Sequence, residues 1–399
     1  MSERIVVVGG GSAGARLAQR LPGGWDVTLL GEEPHAPYNR VLLGSVLAGR
    51  YAPEVIALPA PPVRTLRGVR AVRVDRTARV VHGDDGSETG YDRLVLATGS
   101  NPVLPPLRVA GGTLPEGVHP FRTLDDCLAL ASAVRPGVRA VVIGGGLLGV
   151  SAARALAARG AEVVLAQQGE HLMERQLDAV ASGLVRGHVE ALGVEVHTRC
   201  RARALRERDG AVSGVELADG YVLDAEVVVL ACGVRPRTGL AREAGLAVDR
   251  GVVVDDELRT SDPSVYAIGD CAEHRGVVYG LAGAALEQAD ALADVLTGGG
   301  TGYRGTRALT RLTLDALGAP ALDLAAFGEA TPRPGDDVVQ LADATRRAYR
   351  KVVVRGDRLV GGVLLGDLGA VGALARAWEG DEALSGAPLL HLLTHDGGS

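Results

Sequence analysis

Gly9, Gly11 and Gly14 follow the apolar run Ile5-Val6-Val7-Val8, and Gly144, Gly146 and Gly149 follow Val141-Val142-Ile143. Each set spells G-x-G-x-x-G between a strand-like run and an Ala/Leu/Arg-rich helical pattern. In that setting the first glycine makes a tight turn and the second lets backbone approach a pyrophosphate. The third lets helix and strand pack closely. The implied chemistry is capture of an anionic dinucleotide at a helix N-terminus, where free N–H groups and the helix dipole favour negative charge. Two such turns imply two dinucleotides, and a protein that holds two usually moves electrons between them.

Other residues fall where such ligands need them. Glu32 and Glu33 follow a second strand, Asp26 to Leu30, close to the roughly 20-residue offset at which a carboxylate meets a ribose hydroxyl. Asp92 to Ala97 reads as a buried strand ending in Ala97-Thr98-Gly99 and stopped by Pro102. Small residues there let backbone approach a bound group. A buried strand ending in Gly269-Asp270 puts a further acid at a strand end. The four cysteines, Cys127, Cys200, Cys232 and Cys271, make no C-x-x-C or other close pair. A dithiol relay, an all-cysteine cluster and a metal site are therefore not expected. His35, His119 and His188 are expected at the surface or in loops.

The elements that must position these residues form two βαβ units. The first comprises Ile5 to Val8, a helix from Ala13 to Leu21, and Asp26 to Leu30. The second starts at Ala140, with a helix from about Leu148 to Arg159 and a strand from Glu162 to Ala166. A helix from Asp178 to Leu192 and the strand Val194 to His197 follow. Hairpin-like strands lie near Ala71 to Asp75 and Arg79 to His82, and again around Gly210 and Gly220. A helix spans Ala282 to Leu296. From about residue 304, short alternating strands, notably Lys351 to Val354 and Leu359 to Leu365, are closed by a helix near Leu368 to Trp378. This end reads as a small α+β module with a disordered tail from Asp396. At 399 residues the chain exceeds one typical core. Its net charge of -6 gives no reason to expect nucleic acid or anionic membrane. No apolar run approaches transmembrane length and the first strand starts at Ile5, so a cytoplasmic protein is expected. Lys351 is the only lysine.

Longer strings carry a family likeness. They are Glu32-Glu33-Pro34-His35-Ala36-Pro37-Tyr38-Asn39-Arg40-Val41-Leu42-Leu43, Leu172-Met173-Glu174-Arg175-Gln176-Leu177-Asp178, and Leu258-Arg259-Thr260-Ser261-Asp262-Pro263 running to Ala272-Glu273-His274-Arg275-Gly276 and Tyr279-Gly280-Leu281. With the paired turns, the chain resembles the pyridine-nucleotide/FAD-dependent oxidoreductases. It is most similar to the FAD/NAD(P)H-binding part of assimilatory nitrite reductase large subunits, then to rubredoxin and ferredoxin reductases. The resemblance implies an α/β fold with two Rossmann-like domains plus the C-terminal α+β interface domain, which covers the flavin and helps dimerise. The FAD domain would take 1–112 and 246–303, the NAD(P)H domain 113–245, and the interface domain 304–395.

The same resemblance implies site roles. Gly9, Gly11, Ser12, Ala13 and Gly14 would hold the FAD pyrophosphate, and Glu32 and Glu33 its adenosine ribose. Arg40 would lie against the phosphates or flavin edge. Val72 would touch adenine through its backbone. Ala97, Thr98, Gly99 and Leu281 would line the FAD, and Asp270 would take its ribityl chain. Gly144, Gly146, Leu147, Leu148 and Gly149 would receive NADH or NADPH, with Ser151, Gln167 and Gly233 nearby. The flavin would carry the chemistry, with no catalytic side chain.

Departures from the pattern also matter. Ser45 stands where rubredoxin-type reductases carry a lysine. Ser151 replaces a glutamate beside the nicotinamide, and Gln167 replaces the acid after the second nucleotide strand. No arginine cluster there offers to hold a 2′-phosphate, which favours NADH. Nitrite reductases continue into iron–sulfur and sirohaem modules absent from this sequence, so nitrite reduction by this chain alone is not expected. Electrons would pass to a separate redox partner of the iron–sulfur, rubredoxin or nitrate/nitrite reductase type, in a role such as nitrate assimilation. Two alternatives stay open. One is a pathway-specific flavoprotein oxidoreductase acting on a small metabolite; the other is a flavin-binding scaffold or signalling protein with weak nicotinamide binding.

Overall fold

The computed structural model describes residues 2–393 apart from Pro22, Ala110, Gly111, Ala308, Leu317, Gly318, Glu382 and 385–388. The tail from Asp396 lies outside the described residues. The chain divides into two compact units. The first takes Met1–Leu42, Ala52–Asn101 and Val234–Thr306; the second takes Leu43–Tyr51, Pro102–Gly233 and Arg307–Ser399. The α-helices are α1 (Ser12–Arg20), α2 (Leu43–Leu47), α3 (Leu124–Ala133), α4 (Leu147–Ala158), α5 (Ala179–Ala191), α6 (Gly239–Glu243), α7 (Ala282–Leu296) and α8 (Val371–Glu379).

In the first unit a five-stranded parallel sheet runs in the order Val265–Ala267, Arg93–Leu96, Arg4–Val8, Asp26–Gly31, Arg64–Arg67. Val6 through Val8 and Leu94 through Leu96 are buried, as strands covered on both faces must be. Helices α1 and α7 are joined by the Arg16 guanidinium, which donates to both carboxylate oxygens of Asp290 at 2.7 and 3.0 Å. An antiparallel meander, Ala71–Asp75, Val80–Gly83 and Glu88–Gly90, packs Val74 and Val81 into the same core, and Val252–Val254 pairs in parallel with Ala272–His274.

The second unit repeats the plan. Its parallel sheet runs Val194–His197, Glu162–Ala166, Arg139–Ile143, Val227–Leu230, Val118–Pro120. Its meander is Ala202–Arg208, Ala211–Leu217 and Val222–Asp224. These are the two Rossmann-like folds expected from the paired turns. The helix α3 was absent from the sequence expectations, although Thr123 and Asp126 form a capping box at its start.

The C-terminal residues build a five-stranded antiparallel sheet in the order Thr310–Ala316, Ala319–Gly328, Arg358–Leu365, Ala348–Arg355, Asp337–Asp343. It is covered by α8 through Leu374 and Trp378, the latter against Phe327 at 5.2 Å between ring centroids. Within the second unit, this sheet is gripped by α4 and α5 through buried polar groups. Arg154 of α4, 3% exposed, donates to the Asp315 carbonyl at 2.6 Å and to its carboxylate. His188 of α5 donates Nε2–H to the Leu314 carbonyl at 3.0 Å. Burial holds its imidazole below the usual range, hence neutral. His188 is thus not the surface residue expected: it lies on the inner face of α5 and is 5% exposed. His119, also expected at the surface, sits in the strand Val118–Pro120 with Nε2 buried.

The third contact uses the only lysine. Asp178 caps α5, its Oδ1 accepting from the Ala181 N–H at 2.9 Å. Its Oδ2 accepts from Lys351 Nζ and from the Tyr349 hydroxyl, both at 2.8 Å. Burial alone would raise the Asp178 pKa, but these donors outweigh it and hold the carboxyl below its usual value. A depressed folded pKa means the stabilisation is present above the unfolded value of about 4. It is lost as pH falls through the folded value. Asp178→Ala should therefore cost roughly 3 kcal/mol or more, since it strands a buried ammonium and a buried hydroxyl and removes a cap. Chemical denaturation at neutral pH checks this, and the difference from wild type should shrink on acidification; a loss below about 1 kcal/mol contradicts it.

Candidate functional site

The first glycine turn closes the central strand of its sheet. Gly9 N–H donates to the Leu30 carbonyl at 2.8 Å, and Ala97 N–H donates to the Val8 carbonyl at 2.8 Å. Gly9 adopts φ +126°, a conformation that L side chains rarely adopt. A Cβ on Gly14 would overlap the Gly9 carbonyl oxygen, while a Cβ on Gly11 meets nothing within 4 Å. The turn is therefore closed on the helix–strand side and open in front of α1. Gly11 is the N-cap of α1, with no side-chain cap and no acid in the first turn.

The second turn repeats this geometry. Gly144 N–H donates to the Ala166 carbonyl at 2.8 Å, and Ala231 N–H donates to the Ile143 carbonyl at 2.9 Å. Gly144 has φ +111°, and a Cβ on Gly149 would overlap the Gly144 oxygen. Gly146 caps α4 in open space with φ −77° and ψ −175°, against −76° and −172° at Gly11. By contrast α3 and α5 are capped by Thr123 and Asp178 side chains. Both glycine turns thus present helix N–H groups to open space with no competing carboxylate. That is what a pyrophosphate requires, so the residues fit a dinucleotide at each turn. Ser12 and Ala13, and Leu147 and Leu148, form the first helical turns behind them.

Around the first turn, Glu33 accepts from the Tyr38 hydroxyl at Oε2, 2.6 Å, and from Arg40 at Oε1. Arg40 also donates to Tyr38 OH at 2.8 Å, and its guanidinium lies 4.9 Å from the ring centroid. Glu32 pairs with Arg237. Thr98 Oγ1 donates to the Arg237 carbonyl at 2.8 Å. Asp270 accepts from Ser100 Oγ at 2.8 Å, and the preceding Gly269 N–H donates to Gln288 Oε1 of α7 at 2.7 Å. Ala97 and Thr98 back directly onto Gly9, and Ala13 onto Gly269. Val72 is the extra residue of a bulge between Ala71 and Arg73, and Leu281 is the N-cap of α7. Gly9, Ala13, Ala97, Thr98 and Gly269 are thus in direct apposition, whereas Val72 and Leu281 stand on other elements. Arg237, Ser100 and Gln288 were not anticipated; no motif marks them, because their roles come from the turns that bring them together.

Around the second turn, the Gln167 side-chain oxygen accepts from the Gly145 N–H at 2.8 Å. The residue standing in for an acid therefore braces the turn itself. Ser151 of α4 presses its hydroxyl onto Gly44 of α2, where a Cβ would overlap it. Gly233 has φ +94°, and a Cβ added there would meet nothing within 4 Å. Its neighbour Cys232 donates to the Ile143 carbonyl at 3.4 Å, and burial pushes its thiol up to about 11. Burial likewise holds Cys127 at about 11. Thiols so protonated are poor nucleophiles at neutral pH.

Comparison with known proteins agrees with this architecture. Residues 3–289 match the pyridine nucleotide-disulphide oxidoreductase family, and residues 314–379 match the rubredoxin NAD+ reductase C-terminal domain. The nitrite reductase [NAD(P)H] of Bacillus subtilis is 35% identical over 92% of this chain and 46% of its own length. The assimilatory nitrate reductase electron transfer subunit of the same organism is 33% identical over 92% of this chain and 48% of its own. The chain thus spans about half the length of these curated relatives. Among solved structures, the covalent putidaredoxin reductase–putidaredoxin complex superposes with a TM-score of 0.85 and 26% identity, over 98% of both chains. With the two cradles in place and the match running through both, the chain belongs to the pyridine nucleotide-disulphide oxidoreductase family.

Proposed function

We propose that this chain is the NAD(P)H-oxidising flavoprotein component of an electron-transfer system, with FAD at the first glycine turn and NADH or NADPH at the second. The observation that carries the proposal is the pair of uncapped helix N-termini behind turns of the same geometry. When bound, the flavin supplies the hydride-accepting ring and the onward release of electrons. The protein's part is to bind and orient. Gly9, Gly11, Ser12, Ala13 and Gly14 hold the FAD pyrophosphate, and Asp270, fixed by Ser100, takes the ribityl chain. Ala97, Thr98, Gly99, Val72 and Leu281 line the group, and Arg40 is stationed by Glu33 and Tyr38. Gly144, Gly146, Leu147, Leu148 and Gly149 receive the nicotinamide nucleotide, with Ser151 and Gly233 beside it. Gln167 is uncharged and engaged on Gly145, so it places no carboxylate against a 2′-phosphate.

The FAD-binding part is assigned to 1–112 and 246–303, the NAD(P)H-binding part to 113–245, and the C-terminal part to 304–395. The high thiol pKa values of Cys127 and Cys232 support an acceptor outside the chain, in place of a cysteine relay. The relatives named above support a partner of iron–sulfur, rubredoxin or nitrate/nitrite reductase type, and a role in nitrate or nitrite assimilation. A cytoplasmic location is part of this proposal; among the described residues no helix is long and apolar enough to cross a membrane.

The test is anaerobic reduction of the flavoprotein by NADH and by NADPH, then re-oxidation by purified rubredoxin, [2Fe–2S] ferredoxin and a nitrate reductase catalytic subunit. Flavin bleaching by a nucleotide, reversed by at least one protein carrier, is expected. Bound FAD that neither nucleotide reduces would overturn the proposal in favour of a flavin-binding scaffold. Re-oxidation only by a small metabolite would favour a pathway-specific oxidoreductase.

The open caps give a second prediction. Gly146→Asp should fold normally, with stability within about 0.5 kcal/mol, because aspartate is a good N-cap in this extended conformation. Its carboxylate would occupy the helix N–H groups and repel the pyrophosphate, weakening NAD(P)H binding about tenfold or more. FAD content should be unchanged. Nucleotide titration of the purified variant reads this directly, and an unaltered affinity would count against the second cradle.

A further inference from the structure

Arg237 follows the strand Val234–Pro236 and precedes α6. Its N–H donates to the Gly99 carbonyl at 2.9 Å, and its carbonyl accepts from Thr98 Oγ1 at 2.8 Å. Its Nε donates to Asn101 Oδ1 at 2.7 Å, and its Nη1 pairs with Glu32 Oε2. Glu32 lies just past Asp26–Gly31, and Thr98 and Gly99 lie just past Arg93–Leu96. Those two strands flank Arg4–Val8, the strand that ends in the first glycine turn. One residue, by its backbone at Thr98 and Gly99 and its side chain at Asn101 and Glu32, therefore ties the strand ends on the two sides of the cradle, at the carboxyl edge where α/β sheets bind ligands.

The two acids differ in how their oxygens are engaged. Glu33 has both oxygens engaged, one by Arg40 and one by Tyr38. Arg237 takes Oε2 of Glu32, and among the described residues no donor is seen on Oε1. Glu32 is 44% exposed, so without an anchored partner its carboxylate would sample several rotamers. A guanidinium already fixed by Asn101 and by its own backbone holds that carboxylate in one orientation before ligand arrives.

We propose that Arg237 is a positioning residue for dinucleotide binding, orienting Glu32, and not Glu33, onto the adenosine ribose. This rests on the assignment of FAD to the first turn.

The test titrates the flavin-stripped full-length chain with FAD and with its 2′-deoxyadenosine analogue, following flavin fluorescence. Wild type should bind FAD about tenfold tighter than the analogue, the scale of one charge-assisted hydrogen bond. Arg237→Gln and Glu32→Gln should each bring that ratio towards one, while Glu33→Gln should leave it. The Arg237→Gln/Glu32→Gln pair should lose no more than Glu32→Gln alone, because the two act as one unit. Arg237→Lys, which keeps the charge without the fork, should retain part of the ratio. An Arg237→Gln protein with the wild-type ratio overturns the proposal. So does one weakened equally towards FAD and analogue by a general disturbance, with the ratio intact. Wild type that binds no FAD instead removes the flavin assignment itself, a distinguishable result.

Discussion

The close approach of a helix to the end of its own strand governs both sites. At Gly14 and at Gly149 a single added carbon would overlap the carbonyl oxygen that opens the turn. Only glycine allows α1 and α4 to start this near their strands. Starting there, each helix directs its unbonded N–H groups at the carboxyl edge of a parallel sheet. Gly11 and Gly146, as caps, bring no side chain of their own to those donors. The free energy left unmet at a helix end becomes an anion site.

Around that shared constraint the two units have diverged. In the first, the acids past the second strand are partnered by cations, Glu33 by Arg40 and Glu32 by Arg237, and Asp270 is held by Ser100. The charges that would meet a ligand are thus oriented in advance. In the second, the corresponding side chain is Gln167, turned back to hold Gly145. Ser151 is accommodated by Gly44, where two small residues let α2 and α4 approach closely. The C-terminal sheet belongs to the same compact unit as the second cradle. It is bonded to α5 by Lys351 and His188, and to α4, the helix that starts at Gly146, by Arg154.

What was legible in the sequence follows from range. The glycine turns, the strands before them, and Asp270 at a strand end are local patterns with local physical causes, and α1, α4 and α5 formed within a residue of expectation. The expected helix Ala282 to Leu296 is α7 with the same bounds. Interactions between distant segments left no such trace. His188 looks like an ordinary helical histidine until the strand bearing Leu314 packs against it. Lys351 stood out by its rarity, but its partner Asp178 lies 173 residues away. Arg237 reaches Glu32 across 205 residues, and nothing in Pro236-Arg237-Thr238 announces it. The α3 capping box is written locally in Thr123 and Asp126, but the helix is short and its apolar residues make no strong one-sided stripe.

In the proposed function the two turns are two separate dinucleotide sites on one chain. The most direct measurement is calorimetric titration of NADH into the FAD-loaded protein under anaerobic conditions, with flavin content determined on the same sample. One FAD per chain that stays bound while one NADH per chain is taken up is the predicted result. Displacement of FAD by NADH, or FAD-loaded protein that takes up no nucleotide, would contradict it.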